Sequence, residues 1–250
     1  VLKKVLLVFK RDYSEMVSTT AFRIMLIIAV VITIGAAAGI SIALHLQEWY
    51  GAAEAMPIVE FIIGLVVYFI TLAVLLAFTW GFSGIQITKE KVDGNIECLM
   101  ATPLGPKTLW IGKCLAVFLP GFVISLAVVF IVLVALNLAV VLPGWGTFIF
   151  PEQAIAAGLI GNPLLFFAVL GFIMLVSLVG NPDVAIAPSF LIGFGLMIGI
   201  PAGMATGTID ITSWSFVLWY TAGAIACWLI VFALMRMLTR QNIVLSSKGS

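Results

Sequence analysis

Long apolar runs alternate with short polar breaks along this chain. Six runs reach the length of a membrane-crossing helix, about 20 mostly apolar residues. They cover 22–46, 58–85, 109–142, 162–179, 188–205 and 214–238. Unbroken stretches of this length exceed a tilted barrel strand of about 9–11 residues, so the pattern predicts helices. Residues 1–21 mix charged and apolar positions, most clearly over 11–18, and read as an amphipathic interfacial helix. Segment 152–161 is apolar but is cut from the fourth run by Gly161-Asn162-Pro163. Proline suits the first turn of a helix and disfavours its interior. The segment therefore reads as a short helix lying at, or dipping into, the outer face. A longer, kinked fourth span is the alternative. Pro120 and Pro201 fall inside the third and fifth runs and read as kink points of the kind membrane helices tolerate.

The loop 86–108 breaks the apolar pattern most sharply. Between Ile87 and Lys113 lie seven charged residues. Thr88 is a fair helix N-cap. Val92, Ile96, Leu99 and Pro103 then recur at helical spacing, with Met100 beside them, while Glu90, Gly94 and Glu97 recur on another face. The helix should stop by Ala101, because Thr102 precedes Pro103 and is pushed out of the α region. Pro106 then suits the first turn of the next helix. A glycine in mid-helix costs about 1 kcal/mol relative to alanine, which suggests close approach by another body. The pattern fits either a docking helix or an ordinary solvated connection.

Composition agrees with the spans. The 250 residues are 63% hydrophobic and 9% charged, with mean hydropathy +1.27. Soluble domains average about 25% charged. The reading is a single all-α integral membrane domain over 1–250. The net charge of +1 and the lack of a basic block give no footprint for nucleic acid. Cys98, Cys114 and Cys227 are scattered and suggest no disulfide framework. The opening VLKKVLLVFKRDYSEM does not read as a signal peptide.

Charge placement orients the spans. All 12 Lys and Arg fall on one side: 3, 4, 10, 11 and 23 before or at the first span, 89, 91, 107 and 113 around the loop, and 236, 240 and 248 at the tail. The other side holds Glu48, Glu54, Glu60, Glu152 and Asp210 and no basic residue. By the positive-inside rule both termini, the loop 86–108 and the tail 239–250 are cytoplasmic. Trp49, Tyr50, Trp145 and Trp214 mark the outer interface.

Several motifs carry no chemistry on inspection. GPKT over 105–108 lacks the spacing and the strand of a phosphate loop. GFSG over 81–84 matches an intramembrane serine protease motif. The only histidine, His45, lies at the opposite end of the spans, about 30 Å away, and no lysine is expected inside a span. One His and three dispersed Cys supply no metal or haem site. Gly35-x-x-x-Gly39 and Gly195-x-x-x-Gly199-x-x-x-Gly203 permit close helix approach, within the chain or across a dimer seam.

The order Glu90-Lys91-x-x-Gly94-x-x-Glu97-x-Leu99-x-x-x-Pro103, followed by Gly112-Lys113, resembles the cytoplasmic loop of type-2 ABC exporter permeases. Six spans, inside termini, a basic amphipathic leading helix and the short basic tail RMLTRQNIVL look like the same family. So does Asn181-Pro182-Asp183-x-Ala185 before the fifth span. Cys98 stands where many members carry another apolar residue, and the tail lacks the acidic residue often seen after its Arg. The resemblance implies that Glu90, Lys91, Gly94, Glu97, Leu99 and Pro103 form a coupling helix seated on a separate ATP-binding subunit. ATP and Mg would sit on that partner, with no cofactor and no catalysis in this chain. It also implies a second permease copy or paralogue, and a multi-pass place in the cell membrane. The spans hold almost no ionisable group, which points to a lipophilic or amphipathic substrate rather than an ion. An ATP-independent transporter or channel and a non-transporting assembly subunit are the alternatives.

Overall fold

A computed structural model describes residues 2–83, 87, 90, 91, 93, 95–180 and 182–247, without the side chains of 182, 183 and 247. Among the described residues every regular element is helical. In chain order these are α1 (Leu2–Ser18), α2 (Thr20–His45), α3 (Met56–Phe82), α4 (Asn95–Ala101) and α5 (Pro106–Trp145). They continue as α6 (Glu152–Val179), α7 (Ala187–Ala205), α8 (Trp214–Leu234) and α9 (Arg240–Ser247). Helices α2, α3, α5, α6, α7 and α8 are long and apolar enough to cross a membrane, the organisation of a multi-pass membrane protein.

Thr19 separates the first two helices. It takes an extended conformation, and its hydroxyl accepts the Phe22 N–H at 3.2 Å, capping α2. The break therefore falls at 19, a little before the boundary expected after residue 21.

Segment 152–161 is not a separate outer helix. It runs into the fourth span as one element, Glu152–Val179, through a π-turn at Ala157–Gly161. The third span carries a matching π-turn at Asn137–Val141. Each turn ends two residues before a proline, Pro143 in one case and Pro163 in the other. Proline lacks an N–H and its ring crowds the carbonyl four residues back. Widening the preceding turn relieves that crowding without ending the helix. The N–H groups of Leu142 and Asn162 accordingly reach back five residues, to the carbonyls of Asn137 and Ala157. A proline rule that allows only helix starts misses this solution. Pro120 and Pro201 sit inside uninterrupted α-helix.

Helices α3 and α6 form the centre. In their most apolar stretches 61% and 67% of residues are buried, against 11% in α2 and 17% in α8, which lie at the periphery. Small residues permit the closest approaches. At Gly171 of α6 the Trp110 indole of α5 packs against the backbone and donates to its carbonyl at 2.9 Å. At Gly112 of α5 an added Cβ would stand 2.7 Å from Val8, so α1 rests directly on the α5 backbone.

Candidate functional site

Helices α1 and α9 converge on Glu90, Lys91 and the turn after α4. The buried face of α1 is Val5, Val8, Asp12 and Met16, a helical stripe with one acid in it. That stripe packs against the root of α5, where Gly112 admits Val8 and places Lys113 opposite Asp12. Lys113 Nζ lies 3.0 Å from Asp12 Oδ2 and 2.7 Å from Glu90 Oε2. Arg11 completes the circuit, 2.5 Å from Glu90 Oε1 and 3.2 Å from Asp12 Oδ1. The four groups make a closed ring of alternating charge. Lys113 is 1% exposed, Asp12 2% and Glu90 8%, while Arg11 reaches solvent. Ions this deeply buried are retained only where charges and hydrogen bonds compensate each other.

Lys91 makes a second anchor. It is 4% exposed, and its Nζ donates to the Gly180 carbonyl at 2.5 Å and the Ser246 hydroxyl at 3.0 Å. Gly180 caps α6, so the ammonium sits at the negative end of that helix dipole. Ser246 lies on α9 and donates in turn to the Leu178 carbonyl at 3.0 Å. Burial lowers the Lys91 pKa, since the charged form loses its water.

A third set of contacts holds the turn after α4. Lys4 donates to the Pro103 carbonyl at 2.9 Å. Arg240 donates to the carbonyls of Thr102 at 3.2 Å and Leu104 at 3.0 Å. Three consecutive carbonyls past the helix end are thus bound by cations from the first and last helices, which also suits the local dipole. Helix α4 ends at Ala101, as the residue before a proline requires.

The sequence expected Glu90, Gly94 and Glu97 to share one outward face. Of these the structure describes Glu90 and Glu97, and it buries the first and exposes the second. Glu90 and Lys91 turn inward and are held by contacts within the chain. Between Lys91 and α4 the described residue, Asp93, is in a turn and not in a helix. Gly94, like Thr88, Lys89, Val92 and Asn181, lies outside the described residues. Glu97 is exposed, Leu99 is half-buried, and Pro103 is exposed. Ile96 and Met100 are buried, so the apolar stripe of α4 faces the bundle. Between α1 and α4 runs a groove of about 510 Å³ lined by Arg11, Glu15, Asn95, Cys98, Leu99 and Thr102.

Lys113 also corrects a second expectation, since it stands inside the helix of the third span. Its contacts go to Asp12 and Glu90 and not to Ser83, whose buried hydroxyl has no hydrogen-bond partner among the described residues. The ring was missed because its members are far apart in sequence. Its one local signal was Asp12, an acid on the apolar face of an amphipathic helix. Among the packing glycines, Gly203 meets Ile209 of its own following loop. Gly35, Gly39, Gly195 and Gly199 have open space where a Cβ would point, so no contact among the described residues requires them to be small.

Comparison of the chain with known protein families, curated proteins and solved structures finds no match.

Proposed function

We propose that this chain is the membrane-spanning permease subunit of an ABC exporter, with its termini and the segment 87–105 on the cytoplasmic side. It would work beside a second copy or a paralogue and draw on ATP hydrolysed by separate ATPase subunits. The observation that carries the reading is mechanical. Helix α4 is short, lies at the end of the bundle that holds both termini, and has an exposed face of Asn95, Glu97, Cys98 and Ala101. The segment around it is tied by Lys113 to the third span and by Lys91 to the end of the fourth. A push on α4 would therefore reach two spans through buried bonds. In this reading Glu97 and its exposed neighbours meet the ATPase, while Glu90 and Lys91 transmit the load inside the permease.

The basic side of the bundle and the resemblance of the loop motif support the same assignment. The near absence of ionisable groups in the spans favours a lipophilic or amphipathic substrate.

Purification from its native membrane tests the proposal. An ATP-binding cassette ATPase should co-purify in equal amount, and Glu97→Arg or Gly94→Trp should uncouple ATP hydrolysis from transport while the complex still forms. Full transport by the purified chain alone, without ATP, would end it.

A further inference from the structure

At the opposite, acidic end of the bundle a crevice of about 450 Å³ opens between the end of α7 and the start of α8. Its walls include Ile200, Ile209, Phe216, Trp219 and Tyr220, and among the described residues its one charged group is Asp210. We propose that this crevice binds an amphipathic organic cation of the quaternary type, with its charge against Asp210 and its apolar substituents against the aromatic wall.

Several observations converge on that chemistry. The volume lies within the roughly 300–1,000 Å³ typical of small-molecule sites. The aromatic wall is held in place: Phe216 and Tyr220 stack at 5.6 Å, and the Tyr220 hydroxyl donates to Asn162 Oδ1 at 2.5 Å. Trp219 is 79% exposed, an indole left open on the wall of an apolar crevice. Aromatic faces attract cations through the ring quadrupole, and Trp does so best.

Asp210 is oriented as well. Its Oδ1 accepts the Thr212 N–H at 2.9 Å and the Thr212 hydroxyl at 2.6 Å, while Oδ2 accepts no bond among the described residues. The hydroxyls around the crevice are already engaged. Thr208 bonds the Gly203 carbonyl, and Ser213 bonds the Asp210 carbonyl and Ser215. With their protons committed, these hydroxyls leave few free donors for a ligand that must accept hydrogen bonds, whereas a quaternary cation accepts none. Charge selects the sign. This end of the chain holds Glu48, Glu54, Glu60, Glu152 and Asp210 with no Lys or Arg, so its field concentrates cations and repels anions. The proposal does not depend on the exporter reading.

Tetraphenylphosphonium and tetraphenylborate have one shape and opposite charge, and they make the test. Binding of each is measured by equilibrium dialysis against the whole protein in uncharged maltoside micelles. Tetraphenylphosphonium should bind saturably, at one site per chain. Asp210→Asn should weaken it about tenfold, and Trp219→Ala should weaken it as well. Asp210→Glu should restore most of the affinity. Tetraphenylborate should neither saturate nor displace the cation. Equal, non-saturable uptake of both ions would overturn the proposal. So would wild-type affinity in Asp210→Asn that elutes and melts as the parent does. Short-chain phosphatidylcholine and phosphatidylglycerol then serve as competitors. Displacement by the choline lipid alone assigns the site to a headgroup, and displacement by neither assigns it to a free cation; both results keep the site.

Discussion

Lys113 and Asp12 stand 101 positions apart in the chain and meet at 3.0 Å, both almost fully buried. The contact fixes α1 to the root of the third span. It also makes the first helix part of the bundle's structure rather than a loose surface attachment.

Lys113→Met should therefore be strongly destabilising. It leaves Asp12 and Glu90 to share Arg11, and breaking a buried pair costs about 3–5 kcal/mol. Adding Asp12→Asn should recover part of that loss, because one uncompensated charge is removed with it. Thermal unfolding of the single and double variants in maltoside micelles measures the cycle. Strict additivity would show that the two residues are not coupled.

Gly112 offers a test of the same joint without touching a charge. A methyl group there would stand 2.7 Å from Val8. Gly112→Ala should loosen α1, seen as faster amide exchange over residues 2–18, whereas Gly35→Ala, which enters open space, should not.

Gly199 distinguishes a seam from a lipid-facing surface. Since a Cβ at Gly199 would meet no atom within 4 Å among the described residues, Gly199→Leu should change the unfolding temperature of the monomer little. If α7 faces a second copy, the same variant should lose its crosslinked dimer. A dimer that survives removes the fifth span from the seam.

Asn162 ties three spans together just past the π-turn. Its side chain donates to the Tyr68 carbonyl at 3.1 Å and accepts from Tyr220. Asn162→Leu should cost about 1–2 kcal/mol, the scale of polar contacts between membrane helices. It should also soften the aromatic crevice, read as weaker tetraphenylphosphonium binding.

The Lys91 ammonium has a lowered pKa, below its ordinary 10.5. Between the folded and the unfolded value the unfolded chain holds the proton more tightly, so stability rises with pH in that window. Unfolding temperatures followed as the pH rises toward 10.5 should climb relative to those of Lys91→Gln. Parallel curves would show that the buried ammonium is not desolvated.

The spans were legible because a bilayer imposes length and apolarity on each crossing, and both can be read along a single run. The stop at Ala101 was legible for a similar reason, since Thr102 and Pro103 are neighbours. The inward turn of Glu90 was not, because periodicity assumes one unbroken helix and the chain turns at Asp93. Nor was the continuity of 152–179. Asn162-Pro163 signals a helix start and a π-turn equally well, and only packing against Tyr68 and Tyr220 decides. The ring of Arg11, Asp12, Glu90 and Lys113 depends on contacts between distant segments, which no local pattern encodes.

That ring also sets an order in time. A ribosome adds about 5–20 residues each second, so Asp12 is made about 5–20 s before Lys113, 101 residues later. Until then its carboxylate has no Lys113 to meet, so α1 cannot complete its seat on α5 before the third span begins. Arg240 emerges later still and closes over the carbonyls of Thr102 and Leu104. The joint beside α4 is thus among the last parts of the protein to set.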